Sequence, residues 1–204
     1  VLREVLGMGD DDIARLMETI SLPLNLEMAA TDEMVEIALQ YRPHACCLVP
    51  EKRAELTTEG GLDALALKDQ LGPHIARLNE AGIRVSLFID PAIAQLEAAV
   101  ELGAPVVELH TGAYCEAEGA ARDRELARIK VAAANAERLG LECHAGHGLT
   151  FDTVAPVAAI INIRELNIGH FLIGEAVFTG LEAAIGRMRD CMDEARAGLN
   201  EGTP

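Results

Sequence analysis

Apolar and polar positions alternate along this chain in one repeated unit. A stretch with helical spacing closes on a glycine, and four to seven mostly apolar residues follow and end in a polar or glycine-containing turn. Gly82 precedes IRVSLFID, Gly103 precedes APVVELHTG and Gly140 precedes LECHAGHG. Each glycine suits a left-handed helix end, and each apolar run suits a buried parallel strand. The helical spacing is carried by Leu67, Leu71, Ile75 and Leu78, by Ile93, Leu96 and Val100, and by Leu126, Ile129, Ala133 and Ala136. Asp90-Pro91 reads as a helix start, and Thr31-Asp32 reads as the cap of a helix that stops before Pro43. The pattern predicts strands near Leu24–Met28, Ala45–Val49, Val85–Ile89, Val106–Leu109, Leu141–Ala145 and Leu166–Ile168. It also predicts a final helix starting near Gly180, with Leu181, Ile185, Met188, Met192 and Ala195 on one side, fraying into AGLNEGTP.

Alternating helices and strands without hairpin signals leave a doubly wound sheet or a (β/α)₈ barrel. Strand alternation favours the barrel. Leu24, Leu26 and Met28 share one face while Asn25 and Glu27 share the other; Val107 and Leu109 oppose Val106, Glu108 and His110; Val85, Leu87 and Ile89 oppose Ser86, Phe88 and Asp90. Polar groups gathered at strand carboxyl ends, opposite the apolar face, suit a barrel with its site at the C-terminal mouth. The expected fold class is therefore α/β, a TIM barrel, as one domain over 1–204. Eight units take about 250 residues, so with six strands counted in these 204 the chain is expected to lack the first one to two βα units.

Composition narrows the function. Seventeen Lys+Arg against 33 Asp+Glu leave a formal charge of −16, which argues against broad contact with nucleic acid or anionic membrane. Aromatic residues are 3% with no Trp, so stacking platforms for bases are poorly supplied. No run reaches the roughly 20 apolar residues of a membrane span, and no signal-peptide pattern opens the chain. A cytoplasmic protein is expected. The five cysteines, Cys46, Cys47, Cys115, Cys143 and Cys191, have no CxxC or metal-like spacing and read as reduced thiols. No GxGxxG, P-loop, HExxH or metal-spaced set is present, so no cofactor and no metal are expected.

Glu27 and Glu108 lie within or at the end of apolar strands, where an ionised group is costly unless used or paired. A buried structural hydrogen bond is the alternative for either one alone. His110 and His147 join them at strand ends, His147 between two glycines in AGHG. His144 is expected on the opposite strand face, packed or facing a helix. Gly148, and Gly169 with His170, lie in turns after the last two strands, where phosphate-binding barrels cradle phosphate with backbone N–H groups and a helix N-terminus. Gly169 and Gly174 bracket a short apolar stretch. The loop PEKRAELTTEGGLD gathers Lys52, Arg53, Thr57 and Thr58, with Thr58 or Asp63 available to cap the next helix. It reads equally as a solvated surface loop.

NLEMAAT, HACCLVPEKRAELTTEGGLD, VSLFID, VELHTGAY, HAGHGLT and ELNIGHFLIGEAVFTGL, in this order between about Asp10 and Ala197, resemble the pyridoxine 5′-phosphate synthase family of deoxyxylulose-dependent vitamin B6 biosynthesis. The resemblance implies a TIM barrel with extra helices, assembled as a homo-octamer. It implies condensation of 3-amino-2-oxopropyl phosphate with 1-deoxy-D-xylulose 5-phosphate to pyridoxine 5′-phosphate, inorganic phosphate and water, without a cofactor. Carried over, Glu27 matches the general base, His147 the general acid and Glu108 a carboxylate that stabilises charged intermediates. Gly148, Gly169 and His170 match contacts to aminoacetone phosphate, Thr57 a contact to the sugar phosphate, and Arg3 in VLRE the family's sugar-phosphate arginine. The family's first-strand Asn-x-Asp-His motif and its second-strand histidine and basic run have no counterpart here, as expected if two units precede Val1. A related phosphate-binding aldolase or isomerase, and a catalytically degraded barrel serving as an oligomeric scaffold, are the alternatives. Retention of Glu27, Glu108 and His147 together speaks against the scaffold.

Overall fold

The computed structural model describes residues 10–51 and 60–200. Arg3, Thr57, Lys52, Arg53 and Thr58 lie outside the described residues. Helix α1 (Asp10–Thr19) leads into β1 (Asn25–Ala29), α2 (Asp32–Tyr41) and β2 (Ala45–Val49). After the segment between them come α3 (Lys68–Glu80), β3 (Arg84–Ile89), α4 (Ile93–Leu102), β4 (Val106–His110), a short α5 (Gly112–Glu116) and α6 (Gly119–Arg138). The chain then runs through β5 (Glu142–Gly146), α7 (Val154–Ala158), β6 (Ile163–Asn167), α8 (His170–Thr179) and α9 (Leu181–Asn200).

The six strands form one parallel sheet in chain order, β1-β2-β3-β4-β5-β6. Register places Leu26 beside Cys46, Leu48 beside Leu87, Leu87 beside Val107 and Leu109 beside Ala145. These outward side chains meet Val35, Leu71, Ile75, Leu78, Leu96, Ile129 and Ala133 of the helices in one buried core. The inward set is Glu27, Cys47, Ser86, Phe88, Glu108, His110, Glu142, His144, Glu165 and Asn167. Inward side chains two strands apart touch: Cys47 of β2 reaches Glu108 of β4, Arg84 of β3 pairs with Glu142 of β5, and Asn167 of β6 reaches Glu108. A flat sheet keeps such groups about 9.5 Å apart, so the sheet is curled with these residues on its concave face. It is six strands' worth of a TIM barrel.

Local signals worked as physical chemistry requires. Thr31 caps α2 by accepting from Met34 N at 3.3 Å, and the helix ends at Arg42, φ 50°, ahead of Pro43. Gly103 closes α4 with φ 75°.

Four expectations are corrected. The last strand starts three residues before its apolar signal and ends one residue before that signal does, because Arg164 and Glu165 are exposed on a strand that, among the described residues, pairs only with β5, with a register shift beside Cys143 and His144. The stretch between Gly169 and Gly180 is a full helix, α8, which absorbs Gly174 within it. The final helix continues to Asn200 before any tail. Asp90 does not cap α4, whose N-cap is Ala92; its carboxylate instead accepts from Gly61 N at 3.1 Å.

Candidate functional site

The concave face carries two polar layers. In the lower one Arg84 pairs with Glu142 at 2.5 Å, and His144 Nε2 lies 2.8 Å from Glu142 Oε1. The Arg84 hydrogen bond, with His144 second, holds the Glu142 carboxyl down at about 2. His144 is thus corrected: it is buried, but on the inner face as the register partner of Glu108, not toward a helix.

The upper layer centres on Glu108, only 7% exposed. Burial raises its carboxyl from 4.5 to about 7; hydrogen bonds from Cys47 and Asn167 pull downward, and the charges of Glu27 and Glu165 push upward. Asn167 Nδ2 donates to Oε2 at 2.8 Å, and Cys47 Sγ lies 3.6 Å from the same oxygen. Gly146 leaves room for the other oxygen, since a β-carbon there would collide with Glu108 Oε1 and lie 2.7 Å from Asn167 O.

Two residues further along β4, His110 is buried between neighbours. Its ring stacks on His147 with centroids 4.8 Å apart and an interplanar angle of 24°, and Phe88 lies 5.1 Å away. His110 Nδ1 accepts from Gly112 N at 3.2 Å, so neutral His110 carries its proton on Nε2. Gly60 packs against that Nε2, where a β-carbon would come to 3.3 Å. Leu62 N donates to Phe88 O at 2.7 Å, which anchors the returning chain over the top of β3.

His147 follows β5 with φ 81°, a left-handed conformation that a side chain disfavours, and its ring is exposed. The surroundings hold it there. Thr111 Oγ1 lies 2.6 Å from His147 O and 2.7 Å from Gly146 O, and Thr111 N donates to Gly146 O at 2.8 Å. Gly148, φ 80°, packs against Cys115, whose Cβ a side chain would meet at 3.2 Å.

Gly169 is the N-cap residue of α8 and His170 its first residue, both exposed. An edge-on pair, Phe151 with Phe171 at 4.8 Å, ties the loop after β5 to the first turn of α8, and the Arg187 guanidinium sits 4.0 Å over Phe151. Glu27, on β1, is exposed on the concave side beside Cys47, within electrostatic reach of Glu108. The fold therefore brings Glu27, Glu108 and His147 to one mouth, with Gly148 and Gly169-His170 on adjoining loops. Among the described residues no His, Cys, Asp and Glu cluster could hold a metal ion.

Sequence reasoning missed Cys47, Phe88, Gly146 and Asn167 as parts of the site. Alternation within ACCLV already places Cys47 on the polar face, but its contact with Glu108 skips a strand.

Residues 7–194 match the family model described as pyridoxal phosphate biosynthesis protein PdxJ. A pyridoxine 5′-phosphate synthase of Rhodospirillum rubrum is 66% identical over 192 residues, covering 94% of this chain and 77% of that protein. One from Zymomonas mobilis is 62% identical over 190 residues, covering 93% and 74%. Among solved structures, a HpcH/Hpal aldolase/citrate lyase family protein from Burkholderia cenocepacia aligns with a TM-score of 0.54 at 12% identity, covering 91% of this chain and 81% of that one, a likeness of fold alone.

Proposed function

The chain belongs to the PdxJ family of pyridoxal phosphate biosynthesis proteins, and from that premise we infer that it acts as a pyridoxine 5′-phosphate synthase. The substrates are two small phosphorylated carbonyl compounds, 3-amino-2-oxopropyl phosphate and 1-deoxy-D-xylulose 5-phosphate. One observation carries the chemistry: a buried carboxyl raised to about 7 stands in one mouth with an exposed carboxylate and an exposed imidazole. Imine formation, dehydration and ring closure all require protons to be moved to and from oxygen, nitrogen and carbon, and three groups in unlike surroundings can divide that work.

Exposed Glu27 takes protons as the general base. His147 delivers them to departing oxygen as the general acid, its ring held face-on by His110. Glu108 balances the positive charge of iminium-like intermediates from below. The backbone at Gly148, and the N–H groups of His170 and its neighbours at the start of α8, receive a phosphate; in a chain of net charge −16 such local donors must do what a basic surface would do elsewhere. The six βα units serve as the third to eighth of one barrel domain. A cytoplasmic homo-octamer completes the reading. It is supported by the exposed apolar side chains Ile173, Val177 and Phe178 on α8, which suit burial between subunits.

The test is incubation of the purified protein with both substrates while following the fluorescence of pyridoxine 5′-phosphate. Product is expected, and its absence overturns the reading. Glu27→Gln is expected to lower turnover by at least about 10²-fold with substrate binding retained; unaltered turnover would remove Glu27 from the mechanism.

A further inference from the structure

Glu108 is asymmetrically held. On Oε2 two donors converge from opposite sides of β4, Asn167 Nδ2 from β6 at 2.8 Å and Cys47 Sγ from β2 at 3.6 Å. On the other side Oε1 occupies the space that a side chain on Gly146 would fill, one residue before His147. The thiol is a lasting donor. Burial, and then the neighbouring Glu108 charge, push Cys47 well above its ordinary value, so it keeps its proton. An oxygen that already accepts from an amide and a thiol is the poorer place for a further proton.

We propose that Asn167 is a positioning residue for Glu108, acting with Cys47 to occupy Oε2 and so make Oε1, on the Gly146 side, the oxygen that exchanges a proton with substrate. This rests on the reading of Glu108 as a group that balances charge during catalysis. In a dehydration other than the one His147 serves, the neutral acid gives the Oε1 proton to a substrate oxygen leaving as water, and the electron pair of the broken O–H bond stays on the carboxylate, where it balances the cationic intermediate. The resulting charge is shared with the amide and the thiol. When an intermediate later loses a proton, Oε1 takes it back and the cycle closes without another reactant.

The groups facing this carboxyl come from all the neighbouring strands. Glu27 of β1 and Glu165 of β6 favour its neutral form, and Cys47 of β2 and Asn167 of β6 favour the charged one. His144 of β5 is its register partner, His110 lies two residues along β4 on the same face, and Phe88 stands beside it on β3. Removing Asn167 leaves the neutral form favoured more strongly.

The test is the titration of Glu108 followed by the ¹³C chemical shift of its labelled carboxyl, together with the pH profile of turnover. In wild type the midpoint is expected near 7. In Asn167→Leu, which keeps the volume and loses the donor, it is expected about one pH unit higher. Turnover falls about a hundredfold with KM within about threefold, and the matching limb of the pH profile moves the same way. Cys47→Ala, a smaller change in volume, is expected to raise the midpoint as well and secures the test where Asn167→Leu does not fold. A midpoint unchanged in a folded Asn167 variant, or unchanged in Cys47→Ala if the Asn167 variant is unfolded, overturns the proposal. The titration needs no substrate. Failure of wild type to make product would therefore retire the synthase reading while leaving the Glu108 measurement to stand or fall alone.

Discussion

Replacing Glu108 by Gln removes a charge from a buried carboxyl of the mouth while keeping its shape. Its new carbonyl accepts from Asn167 and Cys47 as Oε2 does, and its amide nitrogen falls where Oε1 lies against Gly146. In wild type the folded carboxyl holds its proton to about 7, whereas the unfolded chain releases it near 4.5. Across that window the native state binds more protons than the unfolded state. This group's contribution to stability therefore declines as pH rises from about 4.5 to about 7 and is flat beyond. At about 1.4 kcal/mol per pH step, the penalty is about 1 kcal/mol at pH 5 and about 3 kcal/mol at pH 8. The Gln variant has no such pH dependence. Urea unfolding of both proteins at pH 5 and pH 8, followed by circular dichroism, is expected to show the variant gaining about 2.5 kcal/mol on wild type between the two conditions. Any fixed loss from an imperfectly bonded amide, about 1 kcal/mol, cancels in that comparison. A stability gap that does not change with pH would refute the argument, and one that changes in the opposite direction would reverse its sign. Turnover of the variant is expected to be lost in either case.

Two further outcomes follow from the same layer. Gly146→Ala drives a methyl into Glu108 Oε1 and the Asn167 carbonyl, which should lower stability by about 1–3 kcal/mol and abolish turnover; calorimetry and the product assay read the two effects separately. His147→Gly releases the left-handed strain at φ 81°, worth about 1–2 kcal/mol and partly offset by the freer unfolded chain. A melting temperature equal to or above wild type, with turnover lost, is expected, and a large drop in melting temperature would contradict it.

The strands most legible in the sequence are those whose outer face is apolar along its whole length. VSLFI and VVELH show both the strand and the face, because Val85, Leu87, Val107 and Leu109 alternate cleanly with Ser86, Phe88, Glu108 and His110. The apolar signal of β6 starts late because Arg164 and Glu165, on a strand paired among the described residues only with β5, are exposed. HFLIGEAVFT conceals a helix because it is apolar on all sides, and no periodicity marks it. His144 was misplaced by counting back from His147, which has already left the strand; counting across the ladder from Glu108 gives the correct face. Glu27, Glu108 and His147 could be singled out because each is polar where its surroundings are not. Asn167 and Cys47 could not, because their meeting at one oxygen depends on the curl of the sheet.

The simple strand order makes rigidity a property of position. β4 is held by β3 and β5, while among the described residues β1 pairs only with β2 and β6 only with β5. Amide exchange should therefore be slowest in the middle of the sheet and quicken toward both margins. The two carboxylates differ in anchorage as well as in protonation. Glu108 is fixed by a paired strand on either side, whereas among the described residues Glu27 is held through β2 alone, so a substrate bridging the two carboxylates would tie the first strand of the sheet to its centre.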